Sequence, residues 1–472
     1  MNLDITTALS GSAGLAGVQW LLLEPPAGAA LRAALSELLG ESAALGEITL
    51  QRAKYKPGRY LTTYHAVQVR DQAGAGSARL VEVNWLPTGS GDPRGEAAAN
   101  LAMQDEAIGR GLAAPFRALL AENAEWGMWA RISPLDADFP KLARLSDPAY
   151  VRDLLAADET IRSDAASYRI TPIRYRPEQR HVLRYEPLGA DGRVDVEGTL
   201  FAKIYNSDKG ARTFQVASRI SDWLAQQGGG IGAVRPLRYI ADEGLVLYPR
   251  VTGTPLSDLL REQGPETAGR LRAAGAAIRA LHRTPESLVE LQPHSFAKEL
   301  KGIGSASEHV HPLLPGVGAT IKALIERARE LHERLPQEPP AFAYGDFKAD
   351  HLWATPGGLT LIDFDTCYLS DPAIDLGKFL ADLQWWYDGY GLGGVAEAQQ
   401  EFLAGYGPTA PGRLLRARLY EALVLTKSTV RRVKLFDRDW SQRTERLIGR
   451  AAAVLDQLEA AHAGQVPSTS TL

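Results

Sequence analysis

The sequence predicts an α+β protein of two lobes, with a duplicated β-rich unit in its first half and a mainly helical second half. Three observations predict it: a long internal repeat, alternating apolar patterns within each copy, and helical periodicity beyond residue 256.

The repeat joins KYKPGRYLTTYHAVQV, from Lys54, to RYRPEQRHVLRYEPLG, from Arg174. Each copy continues with a Gly- and Asp-bearing break, an apolar strand (Leu80 to Leu86; Thr199 to Tyr205), a helix-like segment, a Gly-containing loop and a further strand. That last strand reads GMWARISPL from Gly127 and GLVLYPRVTGTPL from Gly244. Agreement in order as well as in residues predicts duplication of one unit of twisted antiparallel strands packed on a helix, near Ala211 to Gln226 in the second copy. The cluster GGGIG, Gly228 to Gly232, follows this helix and does not fit GxGxxG, so it is read as a loop.

Beyond the repeat, Leu271, Ala274, Ile278 and Leu281 share one helix face, as do Ile321, Leu324, Ile325, Ala328 and Leu331. A further helix carries Leu447, Ile448, Ala451, Leu455 and Leu458.

Composition narrows the function classes. The chain has 472 residues, 45% hydrophobic and 23% charged, enough for roughly two or three cores. Lys and Arg total 52 against 56 Asp and Glu, with no long basic run, so nucleic acid is not an expected partner. The single cysteine, Cys367, excludes an intramolecular disulfide and a Cys-based zinc site; it reads as a small buried apolar residue in a reducing compartment. The first basic residue is Arg32, after acidic Asp4, which does not suit a signal peptide, and no apolar stretch approaches the ~20 residues that span a bilayer. The expectation is a cytoplasmic protein without a membrane partner; its oligomeric state is open.

The chemistry concentrates in PAFAYGDFKADHLWATPGGLTLIDFDTCYLSDPAIDLGKF, from Pro340. The turn Pro356 to Gly358 predicts a hairpin of Leu352 to Ala354 with Leu359 to Leu361. In the register that pairs Thr355 with Gly358, Asp350 falls opposite Asp363 and His351 opposite Ile362, so at least one of them shares a site with Asp363. Carboxylates gathered beside a hairpin repel one another unless a hard divalent cation with a bound polyphosphate neutralises them. Phosphoryl transfer asks for a carboxylate at the acceptor hydroxyl and cations around the phosphates. Asp346 is the candidate carboxylate; the alternative is that these acids only cap turns.

This stretch resembles the catalytic loop and metal-binding strand of the aminoglycoside phosphotransferase and choline kinase superfamily, relatives of protein kinases. YGDFKADH stands where that family has HGDxxxxN. The resemblance implies a bilobal protein-kinase-like fold, ATP and Mg²⁺ as cofactors, and a small-molecule hydroxyl acceptor. It implies that Asp346 is the catalytic base, that Lys348 lies near the transferred phosphate, that Asp363 binds Mg²⁺ and that His351 occupies the place of the metal-binding Asn. It extends to LVLYPRVTGTPL, similar to the family's interlobe hinge, whose backbone at Tyr248, Pro249, Arg250 and Val251 would meet adenine. It makes Lys203, in GTLFAKIY, the phosphate-binding lysine; the matching strand of the first copy, LVEVNWL, has no lysine. The expected organisation is therefore an N-terminal cap over residues 1–155, a degenerate N-lobe-like repeat, then a kinase N-lobe over 156–250 and a helical C-lobe over 251–472. Capped sugar kinases such as maltokinases and glucosamine kinases are similar in architecture. Asp371 and Asp375 match the acids that brace the loop.

Three positions depart from the family pattern. His351 replaces Asn, and imidazole is a poorer partner for Mg²⁺ than an amide oxygen; the alternative is a hydrogen bond from His351 to a phosphate or a substrate hydroxyl. Tyr344 replaces the loop's usual His. The helix near Ala211 to Gln226 has no Glu to pair with Lys203, leaving Gln215 as the substitute and Asp222 as a weaker candidate. A glycine-rich phosphate loop is also absent from RYRPEQRHVL; Arg174, Arg176 and Arg180 either reach phosphates or form a solvated strand face.

For the acceptor, Asp382, Trp385, Trp386 and Asp388 form an aromatic and acidic group that could stack on a sugar face or cover a cation. The alternative is a helix whose aromatics fill the core. The expected activity is phosphorylation of a sugar or amino sugar, with an aminoglycoside or a choline-type amino alcohol as alternatives. A catalytically silent nucleotide-binding regulatory module is a further alternative.

Overall fold

The structure is a computed structural model that describes residues 4–70, 76–87, 89 and 97–465. The chain divides into two compact units. The first holds Met1–Phe214, Pro236–Arg250 and Lys434–Asp437; the second holds Gln215–Arg235, Val251–Val433 and Arg438–Leu472.

The first unit contains both copies of the repeat. Three helices open it, α1 (Ile5–Ser10), α2 (Gly14–Leu23) and α3 (Pro25–Glu37). The Asp4 carboxylate caps α1 by accepting from Thr7 N at 2.7 Å, satisfying one donor that the first helical turn leaves open. Then come β1 (Ala44–Lys56), β2 (Tyr60–Arg70), β3 (Gly76–Trp85), α4 (Ala97–Gly109), β4 (Leu120–Asn123) and β5 (Met128–Ile132). The second copy follows α5 (Leu142–Leu145) and α6 (Pro148–Ala157) with β6 (Ser167–Arg176), β7 (Arg180–Leu188), β8 (Leu200–Ile204) and α7 (Lys209–Gln227). After β9 (Ile231–Ala233), which joins another sheet, β10 (Arg238–Ile240) and β11 (Leu245–Pro249) complete it.

The two antiparallel sheets have the same strand order, β1-β2-β3-β5-β4 and β6-β7-β8-β11-β10. Their registers also correspond. Thr62, Asn84 and Trp129 form one row across the first sheet, and Val182, Lys203 and Val246 form the matching row of the second. Asn84 therefore occupies the place of Lys203, and its side-chain oxygen accepts from the Thr62 hydroxyl at 2.6 Å. Period-two alternation sends Tyr185, Ala202, Ile204, Leu245 and Leu247 into a core shared with Phe139, Leu142 and Val151 of the preceding segment. Tyrosines anchor each copy to the chain before it: Tyr55 donates to the Leu9 carbonyl at 2.9 Å, and Tyr175 to that of Leu135 at 2.5 Å.

The second unit is largely helical. Its helices are α8 (Leu256–Glu262), α9 (Thr267–Leu281), α10 (Phe296–Ser307), α11 (Val310–Leu313), α12 (Pro315–Arg334), α13 (Ala373–Tyr390), α14 (Val395–Tyr406), α15 (Pro411–Arg432) and α16 (Trp440–Gln465). The expected apolar stripes are its core: Leu271, Ala274, Ile278 and Leu281 are buried, as are Ile321, Leu324, Ala328 and Leu331. Among them lie β12 (Thr254–Pro255), β13 (Ala341–Ala343), β14 (Leu352–Thr355), β15 (Gly358–Leu361) and β16 (Tyr368–Ser370). The hairpin β14–β15 has the expected register, Thr355 opposite Gly358 and Leu352 opposite Leu361.

The GGGIG segment is not all loop, because Ile231 to Ala233 pairs in parallel with Leu359 to Leu361. The glycines make the approach possible: a Cβ on Gly358, where φ is +127°, would sit 1.9 Å from the Gly230 carbonyl oxygen. Among the described residues no helix is long and apolar enough to cross a membrane.

Candidate active site

The second unit brings Asp346, Lys348, His351 and Asp363 together. β13 delivers the chain into a turn at Gly345, whose φ of +80° and 2.6 Å clearance to the Thr366 carbonyl exclude a side chain. Asp375, fully buried at the start of α13, accepts from Tyr344 N and Gly345 N, each at 2.8 Å, and stands 3.2 Å from His282 Nε2. It thus fixes the backbone that presents Asp346.

Asp346 is flanked by two ammonium groups, Lys348 Nζ 2.8 Å from Oδ2 and Lys378 Nζ 3.0 Å from Oδ1. Its side chain remains 26% exposed. Burial pushes its pKa up, but Lys378, His351 and Lys348 outweigh that and hold the carboxyl well below the usual carboxylate range. Lys378 carries no signal in the sequence, where a lysine on the first turns of a helix reads as solvated.

His351 closes a 3-10 turn, Ala349–His351, and bridges the two acids. Its Nδ1 lies 3.7 Å from Asp346 Oδ2, and its Nε2 lies 3.7 Å from Asp363 Oδ2. Tyr344, fully buried, donates its hydroxyl to the Ile362 carbonyl and stands 3.2 Å from His351 Nδ1. A phenol has one proton, so the His351–Tyr344 bond takes its proton from Nδ1. In the neutral ring, Nε2 then turns a lone pair toward Asp363. Asp363 adopts φ +67°, a conformation that costs a non-glycine residue energy and gathers at functional sites.

Asp350 departs from its expected place. The ladder ends at Leu352 and Leu361, and the 3-10 turn before it carries Asp350 away from the position opposite Asp363, whereas Ile362 N does donate to the His351 carbonyl at 3.1 Å. Asp350 instead lies near Ser257 and 4.0 Å from Arg432, its side chain 40% exposed. Burial and the neighbouring Asp382 raise its pKa.

The acids and aromatics of α13 are engaged within the protein. Asp382, buried, accepts from Ala349 N at 2.8 Å, Trp386 Nε1 at 3.1 Å and Arg432 at 2.7 Å. It buttresses the loop. The Asp388 side chain, 2% exposed, meets Arg443, Arg446 and Arg450. Trp385 is buried, with the guanidinium carbons of Arg432 and Arg443 each 4.6 Å from its ring centroid. Trp386 is half-buried and stacks on Tyr390. Oxygens already committed to internal partners leave Asp382 and Asp388 poorly placed to receive an acceptor, and Arg432, which ties this group together, was not singled out by the sequence.

In the first unit, Lys203 Nζ lies 5.3 Å from the centroid of the Tyr248 ring. Tyr248 is buried and pairs with Phe201, and Pro249 pairs with Leu200. Arg250 makes an exposed ion pair with Glu197 at 3.2 Å. The division into units falls between Arg250 and Val251 and again within α7, between Phe214 and Gln215. Gln215 is on the exposed face of that helix.

Residues 189–419 match the phosphotransferase enzyme family. No curated protein matches the chain. Among solved structures, a choline/ethanolamine kinase family protein from Mesorhizobium loti is 16% identical with a TM-score of 0.45, covering 65% of this chain and 94% of its own. A thermostable mutant of the aminoglycoside phosphotransferase APH(4)-Ia is 14% identical with a TM-score of 0.42, covering 63% and 97%. An amicoumacin kinase, hAmiN, is 15% identical with a TM-score of 0.40, covering 61% and 88%.

Proposed function

We propose that the chain, whose residues 189–419 match the phosphotransferase enzyme family, transfers the γ-phosphate of ATP to a hydroxyl of a sugar or amino sugar. The observation that carries this reading is Asp346, held between Lys348 and Lys378 and joined through His351 to Asp363.

Asp346 is the group that orients the acceptor hydroxyl and receives its proton. Two ammonium groups make it a weak base, which suits a loose transition state in which the nucleophile's proton is lost late. Lys348 and Lys378 keep it ionised and place positive charge where the transferred phosphoryl gathers negative charge. Lys203 is assigned to the nucleotide's phosphates, and the segment Tyr248 to Val251 to adenine.

Mg²⁺ fits the donor set. His351 Nε2 and an Asp363 carboxylate oxygen lie 3.7 Å apart, close enough to hold one cation between them. Mg²⁺ needs only one or two protein ligands beside phosphate oxygens and water. Asp363 and His351 would hold it, and when bound it supplies charge neutralisation across the phosphates.

Support for a sugar-type acceptor is the capped architecture that resembles maltokinases and glucosamine kinases. Residues 1–155 are read as that cap, inert toward nucleotide because Asn84 stands in the lysine's row. Among acids near the loop, Asp350 rather than Asp382 or Asp388 is exposed enough to receive an acceptor hydroxyl.

The test is Mg²⁺-dependent ATP consumption across sugars, amino sugars, amino alcohols and aminoglycosides, with Asp346→Asn as control. Acceptor-dependent turnover lost in that variant is expected. ATP binding without turnover on any acceptor points instead to a silent nucleotide-binding module.

A further inference from the structure

The second unit holds a cavity of about 230 Å³ beside the β13–β16 ladder. Phe342 and Leu369, opposite one another in that ladder, form one side of it. The other side is the segment that leaves α9, which makes one 3-10 turn at Glu286–Leu288 and supplies Val289 and Leu291. Beyond the turn this segment is tied to β16: Leu369 N donates to the Gln292 carbonyl at 3.0 Å, and His294 N to the Leu369 carbonyl at 2.9 Å. Val289 and Phe342 belong to the buried core of the unit, so core side chains build the walls and fix their shape.

Polar side chains interrupt this apolar lining at three places. Thr284 is 7% exposed, and its hydroxyl has no partner among the described residues, although its backbone N–H donates to the Leu281 carbonyl at 2.9 Å. Valine has the same shape without the hydroxyl, and a buried hydroxyl left unpaired has given up its bonds to water without replacement. A water inside the cavity needs two to four polar partners, and Thr284 is the one polar side chain of the lining that is buried. Glu286 and Glu290 also line the cavity and are exposed, which places two carboxylates at its mouth. Among the described residues no Lys, Arg or His lines it. Small-molecule sites have this make-up, apolar walls with a few polar groups that fix orientation, and drug-sized ligands take about 300 Å³ or more, so the occupant here is smaller.

We propose that this cavity is a binding site, separate from the Asp346 site, for a small amine whose apolar body lies against Phe342, Leu369 and Val289 and whose ammonium group donates to the Thr284 hydroxyl in the field of Glu286 and Glu290. The hydroxyl oxygen accepts from the ammonium, and a charged donor makes that bond stronger than a neutral one would. The two carboxylates favour a cation at the mouth and oppose an anion. The site goes beyond the kinase reading and stands without it.

Ligand-observed NMR titrations of the full chain with benzylamine, benzyl alcohol and benzoate test it. Benzylamine is expected to bind most tightly, benzyl alcohol more weakly and benzoate not at all. Thr284→Val should weaken benzylamine about tenfold, and E286Q/E290Q should erase its advantage over benzyl alcohol. Thermal unfolding of Thr284→Val should show a Tm no lower than the parent's, since the variant removes a hydroxyl without a partner; a clear fall would mean that the hydroxyl serves the fold and would overturn its assignment to a ligand. E286Q/E290Q changes exposed side chains alone and keeps the test independent of folding. Benzylamine affinity unchanged in both variants, benzoate binding as tightly as benzylamine, or no binding of any of the three probes, as for a cavity that holds water only, overturns the proposal. Binding lost in Asp350→Asn but kept in Thr284→Val places the amine beside the Asp346 loop and also overturns it.

Discussion

The hydroxyl of Tyr344 orients the ring of His351: it donates to the Ile362 carbonyl, so at 3.2 Å it accepts from His351 Nδ1. A ring fixed in this way points Nε2 toward Asp363, 3.7 Å away; on the proposed function, this is the face that meets the metal. Tyr344→Phe frees the ring to turn and to change tautomer. Metal-dependent nucleotide affinity, measured by calorimetry over a range of Mg²⁺ concentrations, is expected to fall about 10- to 100-fold. Unchanged affinity would show that Tyr344 only fills space.

On the proposed function, Asp346→Asn removes the group that accepts the acceptor's proton while conserving shape. Turnover is expected to fall about 10²- to 10⁴-fold, with nucleotide affinity little altered. Steady-state kinetics beside direct ATP binding separate the two quantities. A variant retaining parental kcat would remove Asp346 from the chemistry.

Much of this site was legible because its signal is local. The hairpin register follows from Pro356 and Gly358, and it brought His351 to Asp363 as expected. The repeat was equally legible, because the shared sequence pattern is matched by a shared strand order, and the strand read as lacking a lysine carries Asn84 in the row of Lys203. Asp350 was misplaced because ladder spacing was extended into a residue that forms a 3-10 turn. Lys378, Arg432 and the arginines that meet Asp388 were hidden for another reason: each contact joins segments far apart in the chain, and a charged helix residue looks the same in sequence whether water or a buried acid meets it.

Arg432 binds the buried carboxylate of Asp382 at 2.7 Å and lies over Trp385, so removing it leaves a charge without its counterion beneath the loop that carries Asp346. Arg432→Ala is expected to destabilise the chain by about 3 kcal/mol, read from the denaturant midpoint. Because Asp382 also holds Ala349 N, kcat should fall even under conditions where the variant is folded. Arg432→Ala combined with Asp382→Asn should recover part of the stability, since the stranded charge is then gone. If the double variant is no more stable than Arg432→Ala, the ion pair is not what Arg432 contributes.

His65 is expected to make the first unit sensitive to mild acid. The Thr63 hydroxyl donates to the Val83 carbonyl and accepts from Trp85 Nε1 at 3.0 Å, so its remaining lone pair receives the proton of His65 Nε2 at 2.9 Å. Nδ1 is then a buried acceptor, without a partner among the described residues, and burial pulls the ring's pKa down to about 4. In the unfolded chain the ring titrates near 6.5. Below that value the unfolded state binds a proton that the folded state refuses, so stability falls as pH drops from 6.5 and levels off near 4. His65→Asn keeps a donor for Thr63 and removes the titration. Its Tm should therefore change less than the parent's between about pH 7.5 and about pH 5, the range in which a histidine ordinarily gains its charge. Equal losses of Tm in the two proteins would place the acid sensitivity elsewhere.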